Sequence, residues 1–353
     1  MFSLSDLGWC SFFEQQYQKL AISGLKPARV AEENRGLYRI LSPAGEFWAG
    51  VRGVLRQSTT TREALPAVGD WVLVQHHPSH ATIHSVLQRR TKFARKVAGN
   101  RTEQQIVAAN IDTLFLVTSL NRDFNLRRLE RYLALAWESG ALPVVILNKI
   151  DLCDDADEYL ESTKSVAGTA QIILCSALTG SGRSELRERI RIGGTTALLG
   201  SSGVGKSSLI NAIVGDQLQL TATVRPDDDR GRHTTTSRQL ILVPGGGIVI
   251  DTPGMRELQL WDASHGLGAV FSDIERLARD CKFRDCRHAS EPGCAVREAI
   301  AADRLDEDRL ESYHKLGREQ LFLESKQDAA LRSARNHAFR KVAKAQKRGY
   351  RDR

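Results

Sequence analysis

Short segments in which apolar and polar residues alternate occupy the chain between residues 28 and 87. An alternation with period two is typical of half-buried β-strands, and the glycine and proline residues between the segments predict turns. Five short strands of this kind fit a small closed or partly open β-barrel. The predicted strands are 28–32, 37–41, 46–55, 70–75 and 82–87.

A basic segment follows the last predicted strand of this barrel. Barrels of the oligonucleotide-binding (OB) type bind single-stranded or irregular nucleic acid through basic grooves and aromatic side chains, so the segment predicts an RNA-binding barrel. A barrel without a ligand is the alternative, because a fold alone does not imply a function. The segment contains Arg89, Arg90, Lys92, Phe93, Arg95 and Lys96.

Beyond residue 110 the pattern changes to buried apolar runs that alternate with amphipathic segments. Asn125 is suited to cap a helix from Leu126 to Ser139, and Gly140 is suited to end it. This alternation predicts a mostly parallel sheet covered by helices on both faces. The chain is predicted to be helical from about Asp273 onward, with a Cys/His cluster as an interruption. The predicted strands are 111–119, 143–147, 171–175, 197–199 and 248–250.

Composition excludes several classes of protein. The 353 residues are 41% hydrophobic, which excludes disorder throughout. No run of roughly 18 apolar residues predicts a membrane-spanning helix. The first residues do not resemble a signal peptide, and six cysteines are too few for a disulfide scaffold. We therefore expect a soluble, cytoplasmic protein with no membrane partner.

The net charge of +8 is distributed unevenly along the chain. Residues 1–96 carry 13 basic and 7 acidic side chains, net +6. Residues 97–325 have net charge −6, and residues 326–353 have net charge +8. The two basic flanks, rather than the acidic centre, are therefore expected to contact a polyanion such as RNA. A solvated tail is the alternative for 326–353.

A phosphate-binding loop is predicted between a strand and a helix, where the sequence matches G-x-x-x-x-G-K-[ST]. Its backbone N–H groups can surround phosphate oxygens, and the following helix N-terminus favours negative charge. Lys206 should reach the β- and γ-phosphates, and the Ser207 hydroxyl should bind Mg²⁺. The nucleotide-binding residues predicted here are Gly200, Ser201, Ser202, Gly203, Val204, Gly205, Lys206, Ser207 and Ser208.

Three further loops complete a predicted GTP site. Asp251, at a strand end, would hold Mg²⁺ directly or through water, and the Gly254 N–H would face the γ-phosphate. Asp151, in the motif that begins with Asn148 and Lys149, can accept two hydrogen bonds from guanine but would stay unpaired with adenine. The base is also expected to contact the backbone of Ser176 and Ala177. The predicted ligand is therefore GTP rather than ATP.

The order of these motifs is unusual, because the base-recognition loops precede the phosphate-binding loop. The chain resembles the circularly permuted GTPases, and more closely the small-ribosomal-subunit-dependent GTPase family (RsgA). The resemblance also covers the preceding barrel, the segment Gly231–Thr236 and a Cys-x₄-Cys-x-His-x₅-Cys cluster, and extends over about 28–325. It implies GTP hydrolysis stimulated by the small (30S) ribosomal subunit during its late maturation, coupled to binding and release from rRNA.

The residues expected to activate water differ from those of Ras-like enzymes. Ras-like enzymes place a glutamine directly after the Asp-x-x-Gly motif, whereas this chain has Met255 there. Slow intrinsic hydrolysis is therefore expected, with His233 as the candidate that positions water. A solvent-facing or RNA-contacting histidine is the alternative. Thr234 or Thr235 should supply the second hydroxyl to Mg²⁺, and we favour Thr235.

Three cysteines and one histidine lie within 14 residues and predict one structural Zn²⁺. A Cys₃His set closes a tetrahedral zinc site and leaves no position for a catalytic water. In a reducing compartment metal binding is favoured over disulfides. The predicted ligands are Cys281, Cys286, His288 and Cys294.

Together these features predict a monomer with a multidomain fold and GTP or GDP as ligand. The expected order is an N-terminal extension (1–27), an OB barrel (28–96), a circularly permuted α/β P-loop GTPase domain (97–262), a helical zinc module (263–325) and a basic tail (326–353). An RNA-binding assembly scaffold that uses GTP as a structural switch is the alternative function, and Met255 is the feature that favours it. A GTPase of protein targeting or signalling is disfavoured by the two basic flanks.

Overall fold

The computed structural model describes residues 2–20, 24–53, 62–96, 104–215, 238–251, 264–323 and 325. Two compact units result, one formed by the described residues up to Asp251 and one by those from Ser264 onward. Within these ranges, no helix has the length and apolar character needed to cross a membrane.

The first unit begins with a closed five-stranded barrel, as the sequence predicts. Its strand order is β1-β2-β3-β5-β4, and β4 pairs back onto β1 to close it. Alternate residues of these strands, such as Ile40, Val72 and Ile83, fill the barrel core. The third strand ends at Val51, earlier than predicted. The strands are β1 (Lys26–Asn34), β2 (Leu37–Ser42), β3 (Gly45–Val51), β4 (Trp71–His76) and β5 (Ala81–Val86).

The N-terminal segment packs against this barrel. Helix α1 (Ser11–Leu20) buries Phe13, whose ring lies 5.8 Å from that of the fully buried Trp71. Trp9 meets the same indole edge-to-face at 4.7 Å. Aromatic pairs of this geometry stabilise beyond their buried area, so residues before the barrel contribute to its stability.

Several side chains of the basic segment after the barrel form ion pairs or pack within the protein. Arg89 donates two hydrogen bonds to the buried Asp70 carboxylate, at 2.7 and 2.8 Å. Lys92 pairs with Glu63 at 2.8 Å. Phe93 is only 3% exposed, so its ring is not available to stack on a base. The segment forms a separate hairpin of β6 (Lys92–Lys96) and β7 (Gln104–Ala109).

A mostly parallel sheet follows, in the order β10-β9-β8-β11-β13, with β12 antiparallel at its end. Strand β12, the last of the α/β sheet, also pairs with β1 of the barrel, where Glu32 lies opposite Gln239. The α/β sheet and the barrel are therefore hydrogen-bonded into one continuous sheet. The strands are β8 (Thr113–Ser119), β9 (Leu142–Asn148), β10 (Gln171–Cys175), β11 (Thr195–Gly200), β12 (Gln239–Leu242) and β13 (Ile248–Asp251).

Helix α2 has the bounds and caps that the sequence predicts. The Asn125 side chain accepts a hydrogen bond from the Arg128 N–H at 2.8 Å, and Gly140 adopts φ 82° after the last turn. The helices of this domain are α2 (Leu126–Ser139), α3 (Ala156–Ala167), α4 (Arg183–Arg189) and α5 (Lys206–Val214).

A buried arginine joins the barrel to the α/β sheet. Arg29 on β1 is 1% exposed and donates to the carbonyls of Leu7, Gly69 (3.3 Å) and Asn110 (3.2 Å). It also donates to the Thr195 hydroxyl at 2.7 Å, at the first residue of β11. Burial lowers the pKa of Arg29 to about 10, so it stays charged at neutral pH. One cation thus connects the N-terminal segment, the barrel and the strand that leads to the phosphate-binding loop.

The second unit is helical. Arg309 donates to both carboxylate oxygens of Asp273, at 2.7 and 2.9 Å, and to the Val270 carbonyl at 2.8 Å. Its guanidinium also lies 5.0 Å from the ring of the fully buried Phe271. These contacts hold α9 on the helices before it. The helices are α6 (Ser264–Val270), α7 (Ser272–Ala278), α8 (Ala295–Ala301) and α9 (307–323).

Candidate guanine-nucleotide site and metal centre

The predicted nucleotide motifs that the structure describes follow the carboxyl ends of parallel strands. The phosphate-binding loop follows β11, the two base-recognition loops follow β9 and β10, and Asp251 ends β13. In an open α/β sheet these ends lie at one edge, where ligands bind. Asn148 and Asp251, which are 103 positions apart in the chain, therefore lie at a single edge.

Glycines of the phosphate-binding loop stand where a side chain would not fit. Gly203 and Gly205 have φ +79° and +97°, which favour glycine. A Cβ on Gly205 would lie 2.4 Å from the Asn148 amide nitrogen, and one on Gly200 would lie 2.4 Å from the Val117 carbonyl. The loop can therefore approach both a phosphate and its neighbouring strands closely.

The lysine of this loop is held by the loop itself. Lys206 Nζ donates to the carbonyls of Gly200 at 2.9 Å and Ser201 at 2.6 Å. Ser202, Ser207 and Ser208 are exposed beside it. These hydroxyls and the ammonium group are thus accessible to a ligand at the helix N-terminus.

Asn148 connects the base-recognition loops to the phosphate-binding loop through hydrogen bonds. Its side chain is 1% exposed and donates to the Val204 carbonyl at 2.7 Å. Its amide oxygen accepts from the Ala177 N–H at 3.1 Å and from the Cys175 thiol at 3.6 Å. One amide therefore fixes the spacing between the loops that would hold phosphate and base.

The neighbours of Asn148 complete the base-recognition loops. Lys149 adopts φ 68° and donates from Nζ to the Gly203 carbonyl at 2.6 Å. The buried Ser176 accepts from the Thr179 N–H at 3.1 Å, which forms a tight turn after β10. Asp151 is exposed, so its carboxylate is accessible to the edge of a base.

Asp123 is a site residue that sequence reasoning missed. Its carboxylate accepts a hydrogen bond from the Ser201 hydroxyl of the phosphate-binding loop. It also pairs with Arg128 at 3.1 Å, which offsets its negative charge near a phosphate site. The only sequence signal is an acidic residue shortly after a buried strand and two positions before the Asn125 cap.

Part of the predicted site lies outside the described residues: His233, Thr234, Thr235, Gly254 and Met255. Asp251 is half-buried at the end of β13, opposite Gln239.

The predicted metal ligands converge in the second unit. One ligand atom from each of the four side chains lies within 4.8 Å of the others. The Nδ1 atom of His288 is 3.6 Å from the Cys281 sulfur and 3.4 Å from the Cys294 sulfur. Burial lowers the pKa of His288, which favours the neutral imidazole that binds metals. The cluster consists of Cys281, Cys286, His288 and Cys294.

Glu291, which the sequence analysis did not predict, stabilises the loop that carries His288. Its carboxylate accepts from the N–H groups of Arg287 (2.9 Å), Ala289 (2.8 Å) and Ser290 (3.1 Å). These backbone hydrogen bonds, that of Arg287 first, lower the pKa of Glu291 to about 2. They surround His288, which has φ 58°, a conformation that few residues adopt without such support.

The fold and the motif order define a circularly permuted P-loop GTPase. A family model described as RsgA GTPase matches residues 86–261. The small ribosomal subunit biogenesis GTPase RsgA of Opitutus terrae is 46% identical, over 98% of this chain and 97% of its own length. That of Methanosarcina acetivorans is 43% identical, over 95% and 90%. The chain therefore belongs to the RsgA GTPase family.

Solved structures agree with this assignment. The crystal structure of YjeQ from Thermotoga maritima has 27% sequence identity and a TM-score of 0.61, over 84% of this chain and 99% of its own. The crystal structure of YloQ, described as a circularly permuted GTPase, has 24% identity and a TM-score of 0.58, over 87% and 96%. The second likeness supports the fold alone.

Proposed function

We propose that this chain hydrolyses GTP in response to the small ribosomal subunit, and that it acts in the cytoplasm during late maturation of that subunit. The observation that carries the nucleotide part is the contact of Asn148 with both Val204 and Ala177, which joins the phosphate and base loops into one site. The ribosomal part is supported by the names of relatives at 43 to 46% identity.

The residues at the sheet edge suit binding and orientation of GTP·Mg²⁺. In this proposal the N–H groups of 201–207 surround the α- and β-phosphates, and Lys206 exchanges its bonds to Gly200 and Ser201 for phosphate oxygens. Asp151 accepts from guanine, and the backbone of Ser176 and Ala177 supports the base. The other residues of this loop that would contact the nucleotide are Gly200, Ser202, Gly203, Val204, Gly205 and Ser208.

Magnesium would bind next to the γ-phosphate. Hydroxyl and carboxylate oxygens are the protein ligands that Mg²⁺ prefers, and Ser207, Thr235 and Asp251 would supply them. The ion would neutralise charge that develops on the phosphates. His233 would position the attacking water, because Met255 has no side-chain group that can do so. His233→Ala should then lower stimulated turnover about 100-fold, and unchanged turnover would refute its role.

The Cys₃His cluster fits one structural zinc ion. Three sulfurs and one imidazole nitrogen within 4.8 Å match a closed tetrahedral donor set, which holds a fold rather than supplying a reactive water. Cys294→Ser should therefore lower the zinc content from one ion per chain and unfold the helices from Ser264 onward. Lys206→Ala should leave the zinc content at one, and a folded, active chain without metal would contradict the proposal.

RNA contact is proposed for the barrel and the two basic flanks, with the protein acting as a monomer. Phosphate contacts by arginine and lysine make binding fall steeply with salt. Removal of 326–353 should weaken binding to the small subunit and flatten its salt dependence, because this segment carries a net charge of +8. Equal affinity of the truncated chain would refute this.

One assay separates the proposal from its alternative. GTP turnover is measured alone, with purified small subunits, and with large subunits as the control. We expect strong stimulation by small subunits only, and loss of turnover in Lys206→Ala. Tight binding to small subunits without stimulation would instead support an RNA-binding scaffold with incidental turnover.

A further inference from the structure

A second group of cations lies at the amino-terminal edge of the parallel sheet, in a cavity of about 200 Å³. The cavity lies where the segment after the barrel meets the first residues of β8, β9 and β11 and the end of α4. Three arginines and one carboxylate line it: Arg90, Arg189, Arg191 and Asp112.

Two of these arginines have no partner in the part of the chain that the structure describes. Asp112, the single acid, pairs with Arg90 at 3.2 Å and accepts from the Thr195 N–H at 2.8 Å. Arg189 and Arg191 are exposed, and neither side chain forms an ion pair or hydrogen bond with another described residue. The cavity therefore carries an excess of positive charge that the described residues do not neutralise.

Hydroxyl groups lie opposite these cations. Thr113 and Thr196 both line the cavity, and their backbones pair in register on adjacent strands. They are 8% and 1% exposed. Threonine hydroxyls can donate to an anion, so the lining combines exposed guanidinium groups with hydroxyl groups on the sheet.

The cavity is separate from the nucleotide site. β11 runs from Thr195 to Gly200, so its two ends are roughly 17–20 Å apart at about 3.3 Å per residue. The cavity lies at one end and the phosphate-binding loop at the other. A GTP molecule in the loop cannot reach it.

We propose that this cavity is a second anion site, which binds one phosphate group of a phosphate-bearing ligand. Guanidinium groups match phosphate through two parallel hydrogen bonds, and paired arginines are suited to that geometry. The volume is below the roughly 300–1,000 Å³ of typical small-molecule pockets, so it suits a phosphate group rather than a whole nucleotide. Free inorganic phosphate and an RNA backbone phosphate share this chemistry.

The site is tested by nuclear magnetic resonance of the arginine Nε–Hε groups in the full chain saturated with GDP. Inorganic phosphate is titrated first and a single-stranded oligoribonucleotide second. We expect saturable shifts of the Arg189 and Arg191 signals. Arg187 is the internal control, because it lies on the same helix, donates to the Pro244 carbonyl at 3.0 Å and does not line the cavity.

The outcomes separate the two sources of phosphate. Saturation by the oligonucleotide at much lower concentration than by inorganic phosphate would identify the RNA backbone as the ligand, and saturation by inorganic phosphate alone would identify a small anion. Arg189→Gln should weaken either binding about tenfold, and Arg187→Gln should not. Absence of saturation with both probes, or equal shifts at Arg187, would overturn the proposal.

Discussion

Arg29 at the amino edge of the parallel sheet and the two lysines at its carboxyl edge are held in opposite ways. At the amino edge, Arg29 is 1% exposed and donates to four fixed oxygen acceptors. At the carboxyl edge, Lys206 and Lys149 donate to backbone carbonyls of the phosphate-binding loop and remain accessible. The arginine bonds cannot be exchanged for a ligand, whereas the lysine bonds can. A positive charge therefore supports the architecture in Arg29, whereas in Lys206 and Lys149 it stays available for the proposed nucleotide.

The largest effect should follow from removing the buried cation. Arg29→Met would leave several buried carbonyls without a donor, so we expect the free energy of unfolding to fall by about 3–5 kcal/mol. Arg39→Met is the matched control, because Arg39 is 20% exposed and its ion pairs, with Glu32 and Glu46, lie at the edge of the barrel core rather than inside it. It should cost about 0–1 kcal/mol. If denaturant titrations gave the same loss in free energy of unfolding for Arg29→Met and Arg39→Met, the distinction between the two arginines would be wrong.

A smaller change, confined to ligand binding, should follow from removing the exchangeable cation. Lys206→Ala should lower GTP turnover about 100-fold, because the lysine charge acts on the phosphates where negative charge develops. The free energy of unfolding should change by less than about 1 kcal/mol. Lys164→Ala, which removes a surface ion pair on α3, is the control. A Lys206→Ala chain that lost stability but kept its GTP turnover would contradict the comparison.

The effect that is smallest at neutral pH concerns the ionisation of a thiol at the carboxyl edge. Burial raises the pKa of the Cys175 thiol from 9.0 to about 12, so between these values the unfolded chain releases a proton that the folded chain retains. The free energy of unfolding should therefore fall as pH rises above 9, by up to about 1.4 kcal/mol per pH unit from this group. Cys175→Ala should lack that contribution in denaturant titrations under reducing conditions. If the free energy of unfolding fell with pH equally in the wild type and in Cys175→Ala, the thiol would ionise as readily in the folded chain as in the unfolded one. That result would contradict the prediction.

Local signals in the sequence predict much of the fold. The caps Asn125 and Gly140 define α2, and the residues of β10 are predicted without error because a short apolar run ends at polar residues. The P-loop glycines and Asn148 are predicted as site residues because their chemistry requires a fixed spacing within a few residues. The Cys₃His cluster is predicted for the same reason, and the structure brings its four ligand atoms together.

Contacts between distant residues are not predicted. The Arg29–Thr195 bond joins positions 166 residues apart, and a lone arginine in a strand gives no sign that it will be buried. The barrel and the α/β sheet join through Glu32 and Gln239, a pairing that no periodicity specifies. The basic segment after the barrel looks like a nucleic-acid surface by composition, but Arg89 is committed to Asp70. Charge patterns do not distinguish a free cation from a paired one.

The central claim is that the carboxyl edge forms one site specific for guanine nucleotides, and equilibrium binding to Asp151→Asn tests it most directly. Guanine offers two donors to the Asp151 carboxylate, whereas xanthine presents a carbonyl in place of the exocyclic amine and requires the donor that asparagine supplies. The wild-type chain should prefer GTP over XTP by roughly 100-fold or more, and the variant should reverse that preference. A variant that still prefers GTP would contradict the account.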